Sequence, residues 1–160
     1  MNETSIKVQG KWCYLYRAID HEGNLVDSML SEKRNMEAAQ RFFKQAVASV
    51  GCVPDQVTTD GHNSYPRAIR ETMGSDVAHR TSKYLNNRLE QDHRGIKQRS
   101  YPMRGFGTVE GAARFCCAFD ELRNSFRLRH VMGEMVSLLQ QRQAFLQRLV
   151  TLQRVIQAAS

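Results

Sequence analysis

The sequence lacks the features of a membrane or secreted protein. No apolar run approaches the roughly 18 residues that a membrane-spanning helix needs. No signal-peptide pattern opens the chain, and no Lys-rich tract would anchor it to an anionic membrane. We therefore expect a cytoplasmic protein without a membrane partner.

Cysteine is scarce and is not arranged for zinc binding. The four cysteines are Cys13, Cys52, Cys116 and Cys117, and none forms a C-x-x-C pair. Two adjacent cysteines cannot form a zinc knuckle. We predict four reduced thiols, most of them buried.

Acidic residues are fewer than basic ones, 16 against 23, which gives a net charge of +7 in 160 residues. For a basic domain without membrane features, nucleic acid is the usual partner. The length allows one domain with a substantial core and an appended helical segment.

The first third of the chain is typical of an antiparallel meander. The alternating or β-branched segments 4–8, 12–19 and 25–30 are separated by short turn-forming stretches. Trp12, Tyr14 and Tyr16 alternate on one face of the middle strand, and this placement favours a role in the core over base stacking.

Helices and strands then alternate. We predict a helix over 31–50 capped by Asn35 and closed by Gly51, a strand over Gln56–Thr59, a helix over 64–73 and a strand over 76–80. The third and fourth strands could pair in parallel through the intervening helix. Asp60 would lie at the carboxyl end of its strand, where open α/β sheets place their ligands.

The segment 83–99 is predicted to be a helix with two distinct faces. Glu90, His93, Arg94 and Lys97 share one face, and Leu85, Leu89 and Ile96 share another. Two interpretations are open for the charged face. It could hold a metal ion and a polyanion together, or it could be a solvated surface with a Glu90–Arg94 pair.

The last fifty residues are predicted to be helical, over 108–127 and 131–158. Val131, Leu138, Phe145 and Leu152 recur every seven residues, but Arg142 interrupts the second row of the heptad seam. No acidic residue follows Glu134. This tail could pack on its own domain, pair with a second chain or border DNA.

Asp60 and Glu90 are the carboxylates that could carry chemistry. Hard divalent cations prefer oxygen ligands, and phosphoryl transfer often uses two ions held by a few carboxylates. Spacing alone does not bring the two residues together. Taken singly, Asp60 is more typical of an Asp-Gly turn than of a metal ligand.

Five blocks in series resemble bacterial insertion-sequence transposases of the IS-six family. The blocks are Asn2–Val8, Gly10–Asp20, Thr59–Gly61 with Ser64 and Tyr65, Tyr84–Arg94, and Gly105 with Phe106. The resemblance runs from about residue 2 to about residue 107. It implies a DDE catalytic core at 1–107 with C-terminal helices at 108–160.

The resemblance implies a mixed α/β fold of the ribonuclease H-like type, with three antiparallel strands followed by alternating helices and strands. It implies two Mg²⁺ or Mn²⁺ ions, nicking of double-stranded DNA at transposon ends, joining to target DNA, and a homo-oligomer. The family's second Asp falls on Asp60 and its Glu on Glu90. Basic residues around Glu90 become candidate DNA contacts, namely Lys83, Arg88, His93, Arg94, Lys97 and Arg99.

The family's first Asp is replaced here by Asn2, in the motif Asn2-Glu3-Thr4. An amide is a poorer Mg²⁺ ligand than a carboxylate. Glu3 cannot simply replace it, because adjacent strand residues point to opposite faces, and Asp20 is an unsupported substitute. We expect a truncated and degenerate transposase. The alternative is a non-catalytic remnant that binds DNA or assembles with an intact transposase.

Overall fold

The computed structural model describes residues 1–82, 87–126 and 137–158. The chain divides into two compact units, Met1–Phe119 and Asp120–Ser160. Ala112 and Cys116 are buried in a core of the first unit, and the domain boundary at residue 107 stays a prediction. No helix in the described part of the chain is long and apolar enough to cross a membrane.

The predicted meander is present as a three-stranded antiparallel sheet. The strands β1 (Asn2–Val8), β2 (Lys11–Ile19) and β3 (Leu25–Ser31) are ordered β1-β2-β3. Gln9 and Gly10 join the first two strands with φ angles of 49° and 79°. Positive φ at both turn residues matches the twist of a tight hairpin.

The predicted strand β4 belongs to a second, parallel pair of strands. The strand β4 (Gln56–Thr59) leads through α2 (Tyr65–Met73) to β5 (Ala78–Thr81), and β4 pairs with β5 in parallel. The expected parallel pairing of the third and fourth strands was wrong. Among the described strands, β3 pairs only with β2, and β4 pairs instead with β5 through the crossover that α2 provides.

Opposite faces of the antiparallel sheet bury two cores. On one face, α1 (Met36–Val50) buries Phe42 and Phe43 with Tyr16 of β2. On the other face, Ile6 and Leu15 pack with Ile96, which lies in α3 (Asn87–Ser100). Val109–Phe126 forms α4.

The helix boundaries at α1 follow the sequence prediction closely. The Asn35 side chain accepts a hydrogen bond from the Ala38 amide, and Gly51 ends the helix with φ of 78°. An Asn N-cap and a left-handed glycine are the residues that these positions favour.

Two predictions about burial need correction. All four cysteines are free, but Cys52 and Cys117 are exposed. Tyr16 is buried in the core, whereas Trp12 is 58% exposed. Trp12 lies near the hairpin end of β2, beyond the part of the sheet that α1 covers, so strand alternation alone did not determine its burial.

In the second unit, α5 (Leu138–Ala158) packs against the end of α4. The Phe126 and Phe145 rings are 5.0 Å apart, and Arg148 Nη1 donates to the Ser125 carbonyl over 2.8 Å. Several apolar side chains of α5 stay exposed, namely Leu139, Leu146, Val150, Val155 and Ile156. The predicted helix start at 131 lies outside the described residues.

Candidate active site

Asn2 occupies the first position of β1 and faces α3. It is 9% exposed, and its cross-strand neighbour is Arg17. The Arg17 guanidinium lies 3.7 Å from the Asp92 carboxylate of α3. The Asn2 side-chain oxygen accepts a hydrogen bond from the Glu3 amide over 2.8 Å. Asn2 is thus buried opposite Arg17, whose ion pair with Asp92 joins the sheet to the helix that carries Glu90.

Asp60 directly follows β4 and lies beside the start of β1. The amino group of Met1 donates to the Thr58 carbonyl over 2.7 Å, which joins the two strands. The charge of Asp60 acts on both Met1 and Glu3. The structure therefore brings together the two strand ends that the sequence assigned to the site.

The Asp60-Gly61 turn also has the structural role that Asp-Gly pairs commonly have. The Asp60 carboxylate accepts a hydrogen bond from the His62 amide over 3.3 Å. Gly61 has φ of 91°, and a Cβ there would lie 2.6 Å from Cγ2 of Thr81. Only glycine fits this turn without displacement, so the turn fixes where the Asp60 side chain begins.

Glu3 points to the opposite face from Asn2, as predicted. Its side chain is 2% exposed and forms an ion pair with Arg34, and it accepts a hydrogen bond from the Tyr65 hydroxyl. Burial raises the pKa of Glu3, and the nearby Asp60 charge raises it further, while Arg34 opposes the shift. These partners hold Glu3 away from the position that Asn2 occupies.

The charged face predicted for α3 is only partly correct. Glu90 and Arg94 are exposed, and Lys97 is half-buried. His93 is not on this exposed face, because it is only 6% exposed. It follows Leu89 by four residues and precedes Ile96 by three, which places it on the buried stripe of the helix.

The buried surroundings of His93 favour its neutral imidazole form. Burial lowers the pKa of His93 to about 3, with further lowering by the charges of Arg17 and Lys97. Its Nε2 has no hydrogen-bond partner among the described residues. No sequence pattern connects Arg17 with Asp92, because 74 residues separate the two members of this buried pair.

The remaining candidates vary in position. Lys83 lies outside the described residues, and so does the side chain of Arg88. Arg99 is exposed but packs its guanidinium 5.2 Å from the centre of the Phe119 ring. Asp20 is not placed as a substitute for Asn2. Burial opposes ionisation of Asp20, but hydrogen bonds from Asn24 outweigh it and lower the pKa, so this carboxylate closes a turn.

The donor set suits a divalent ion only in part. Asp60 and Glu90 supply the carboxylate oxygens that Mg²⁺ prefers, whereas Asn2 supplies a neutral amide oxygen. In the part of the chain that is described, no group of three or more His, Cys, Asp or Glu side chains could hold an ion. By donor type alone, two carboxylates suit a divalent ion and the position of Asn2 is weakened.

A three-stranded antiparallel sheet, followed by helices and a parallel β4–β5 pair with Asp60 after β4 and Glu90 on α3, is the arrangement of a ribonuclease H-like, integrase-type fold. The fold is similar to a chain in the structure titled simian T-cell lymphotropic virus intasome in complex with PP2A regulatory subunit B56 gamma. The TM-score is 0.58 at 14% identity, over 89% of this chain and 51% of that one.

The family follows from sequence comparison. A family model described as a DDE domain matches residues 1–129. The chain therefore belongs to the DDE domain family of insertion-sequence transposases, and the resemblance to the IS-six family is confirmed. Members of this family generally use divalent metal ions.

Staphylococcal relatives support the same assignment. The transposase for insertion sequence-like element IS431mec of Staphylococcus aureus is 40% identical over 114 residues, which cover 69% of this chain and 50% of the relative. The same values hold for the transposase of IS257 in transposon Tn4003. The chain thus matches about half the length of these relatives. An uncharacterized protein of Yersinia pseudotuberculosis, pYV0051, is 43% identical over 75 residues, 46% of this chain and 70% of that protein.

Proposed function

We propose that this chain carries the catalytic site of a DDE transposase, which nicks DNA at the ends of an insertion sequence and joins them to target DNA. The observation that supports this most strongly is the convergence of the Asn2 end of β1 with Asp60. The site lies next to α3. An ion pair between Asp92 of this helix and Arg17 links the helix to β2.

Asp60 and Glu90 are the proposed ligands of two Mg²⁺ or Mn²⁺ ions, with Asn2 in the position of the third ligand. When bound, such ions activate the attacking oxygen and stabilise the leaving one. The chain itself positions the oxygen atoms that would bind these ions. The Gly61 turn positions the backbone of Asp60, and the hydrogen bond from the Glu3 amide orients the side chain of Asn2.

Double-stranded DNA is the proposed substrate, both as transposon end and as target. We assign contacts with DNA phosphates to the cations of α3 and of the segment before it, namely Lys83, Arg88, Arg94, Lys97 and Arg99. We assign His93 a positioning role instead, because a neutral ring that is 6% exposed cannot serve as a phosphate contact. A homo-oligomer acting on cytoplasmic DNA is part of the same proposal.

Asn2 should limit activity severely in the chain as it stands. Groups that act as a unit lose most of their rate enhancement when one is removed. We expect Asn2→Asp to raise metal-dependent activity on the order of 10³-fold or more. Adding Glu90→Gln to that variant should abolish the gain.

A branched DNA that mimics the joined product is the sharpest substrate for this test. Reversal of strand transfer on it requires the catalytic site but not recognition of transposon ends. Asn63→Asp, the same chemical change at an exposed loop position, is the matched control. Equal activity of the unmodified chain and Asn2→Asp would refute the proposed role of position 2. Full activity after Glu90→Gln would refute the assignment of the site.

A further inference from the structure

A second cleft lies away from the carboxylates, at the hairpin end of β1 and β2. It has a volume of about 230 Å³, and its lining includes Lys7, Trp12, Tyr101 and Arg104. Lys7 is five residues along β1 from Asn2, which corresponds to about 17 Å in an extended strand. The cleft is therefore separate from the candidate active site.

Two aromatic rings border this cleft and remain open to solvent. Trp12 is 58% exposed and Tyr101 is 69% exposed. Large apolar rings grouped on a surface indicate an interaction site more often than an isolated exposed side chain does. Trp12 is therefore accessible to a ligand, although strand alternation favoured a role in the core.

The charge of the cleft favours an anionic ligand. Lys7 Nζ lies 6.0 Å from the centre of the Trp12 ring, and Arg104 adds a second cation. Among the residues that the structure describes, no acidic one lines the cleft. Aromatic rings beside cations are the combination that binds unpaired nucleic-acid strands, because bases stack on the rings and phosphates meet the charges.

The turn that presents Tyr101 and Arg104 is fixed to β1. The Phe106 amide donates to the Lys7 carbonyl over 3.2 Å, and the Gln9 amide donates to the Phe106 carbonyl over 2.8 Å. A Cβ at Gly105, where φ is 98°, would lie 3.1 Å from the Lys7 carbonyl oxygen. A ligand would thus meet a surface that is already ordered, which lowers the entropic cost of binding.

We propose that this cleft binds an unpaired segment of DNA, with bases stacked on Trp12 and Tyr101 and phosphates held by Lys7 and Arg104. The strand must be unpaired because the base faces in a duplex are already stacked on each other. The choice of DNA rests on the proposed function, whereas the choice of a base-bearing polyanion rests on the cleft itself.

Trp12 is the only tryptophan of the chain, so its fluorescence reports on the cleft directly. The full chain is titrated in EDTA with a single-stranded 12-nucleotide DNA, the same sequence as a duplex, and an abasic strand of equal length. We expect strong quenching by the single strand and at least tenfold weaker apparent binding of the other two. Equal quenching by the abasic strand would overturn the stacking, and quenching that depends only on protein concentration would instead indicate contact between copies.

Variants measured by anisotropy of a labelled single strand separate ring from charge. Trp12→Ala and Tyr101→Ala should each weaken binding about tenfold, while Trp12→Phe and Tyr101→Phe should restore most of it. Lys44→Ala, at an exposed lysine of α1 outside the cleft, is the charge control for Lys7→Ala, and the latter should cause the larger loss. Unchanged affinity in both alanine variants of the rings would refute the proposal.

These measurements need neither a metal ion nor an intact triad. Quenching without strand transfer by the Asn2→Asp variant would leave the cleft assignment standing and count against the proposed function alone. Strand transfer without quenching would support the proposed function and refute the cleft assignment. A preference for RNA over DNA of the same sequence would overturn the choice of ligand.

Discussion

Removing the Asp92 carboxylate should destabilise the first unit by about 3–5 kcal/mol, because it leaves a cation buried without its counter-charge. Arg17 is 1% exposed and Asp92 2% exposed at their side chains, and the two groups are 3.7 Å apart. The pair links the middle strand of the sheet to α3. Its loss therefore affects the position of the helix that carries Glu90.

The magnitude follows from the separation of the two charges. At 3.7 Å and an effective dielectric constant of about 20, the Coulomb energy is about 4.5 kcal/mol. Desolvation offsets much of this in the intact pair, so the pair itself contributes little net stability. Replacing Asp92 alone removes the attraction, but the desolvation cost of Arg17 remains. The single variant should therefore lose the most stability.

Urea denaturation followed by far-ultraviolet circular dichroism measures the effect. Asp92→Asn is compared with Glu71→Gln, which breaks the exposed Arg67–Glu71 pair and should cost no more than about 0.5 kcal/mol. The double variant Arg17→Met with Asp92→Leu should recover most of the loss. If Asp92→Asn cost as little as Glu71→Gln, or if the double variant lost more than the single one, the reasoning would be refuted.

Three further outcomes are expected. His93 has a folded pKa of about 3, below its unfolded value, so stability should fall as pH drops below 6.5, by about 2 kcal/mol at pH 5. In urea titrations His93→Gln should lack this part of the pH dependence, and an identical dependence would exclude it. Gly61→Ala should cost more than Gly51→Ala, because only the former meets a neighbour, Thr81 at 2.6 Å. Equal losses of unfolding free energy would contradict that. Asn35→Ala should cost about 1 kcal/mol through the lost cap, and thermal unfolding without a change in midpoint would count against it.

Local patterns allowed most elements to be predicted from the sequence. The strand over 12–19 and the Asn35 cap with Gly51 depend on neighbours within a few residues, and both are confirmed. Strand pairing was harder to predict. Whether β4 joins β3 or β5 depends on where α2 returns the chain, and neither strand encodes that choice alone.

In the candidate site, too, some residues could be predicted from the sequence and some contacts could not. Asp60 and Glu90 stand in motif blocks that can be recognised in the sequence, and so does the substitution at Asn2. The Glu3 network could not be predicted, because its partners Arg34 and Tyr65 are distant along the chain and meet only after α1 and α2 pack on the sheet.

The sequence by itself determined the family, the candidate carboxylates and the missing one, since these depend on residue identity and order. Tertiary structure decided which polar groups are buried and which aromatic rings are exposed. His93 faces the core although its spacing from Glu90 suits the charged face, and Trp12 faces solvent although it alternates with Tyr16. The reason is that burial depends on which element covers a residue, and coverage is set by packing between segments that are far apart in the chain.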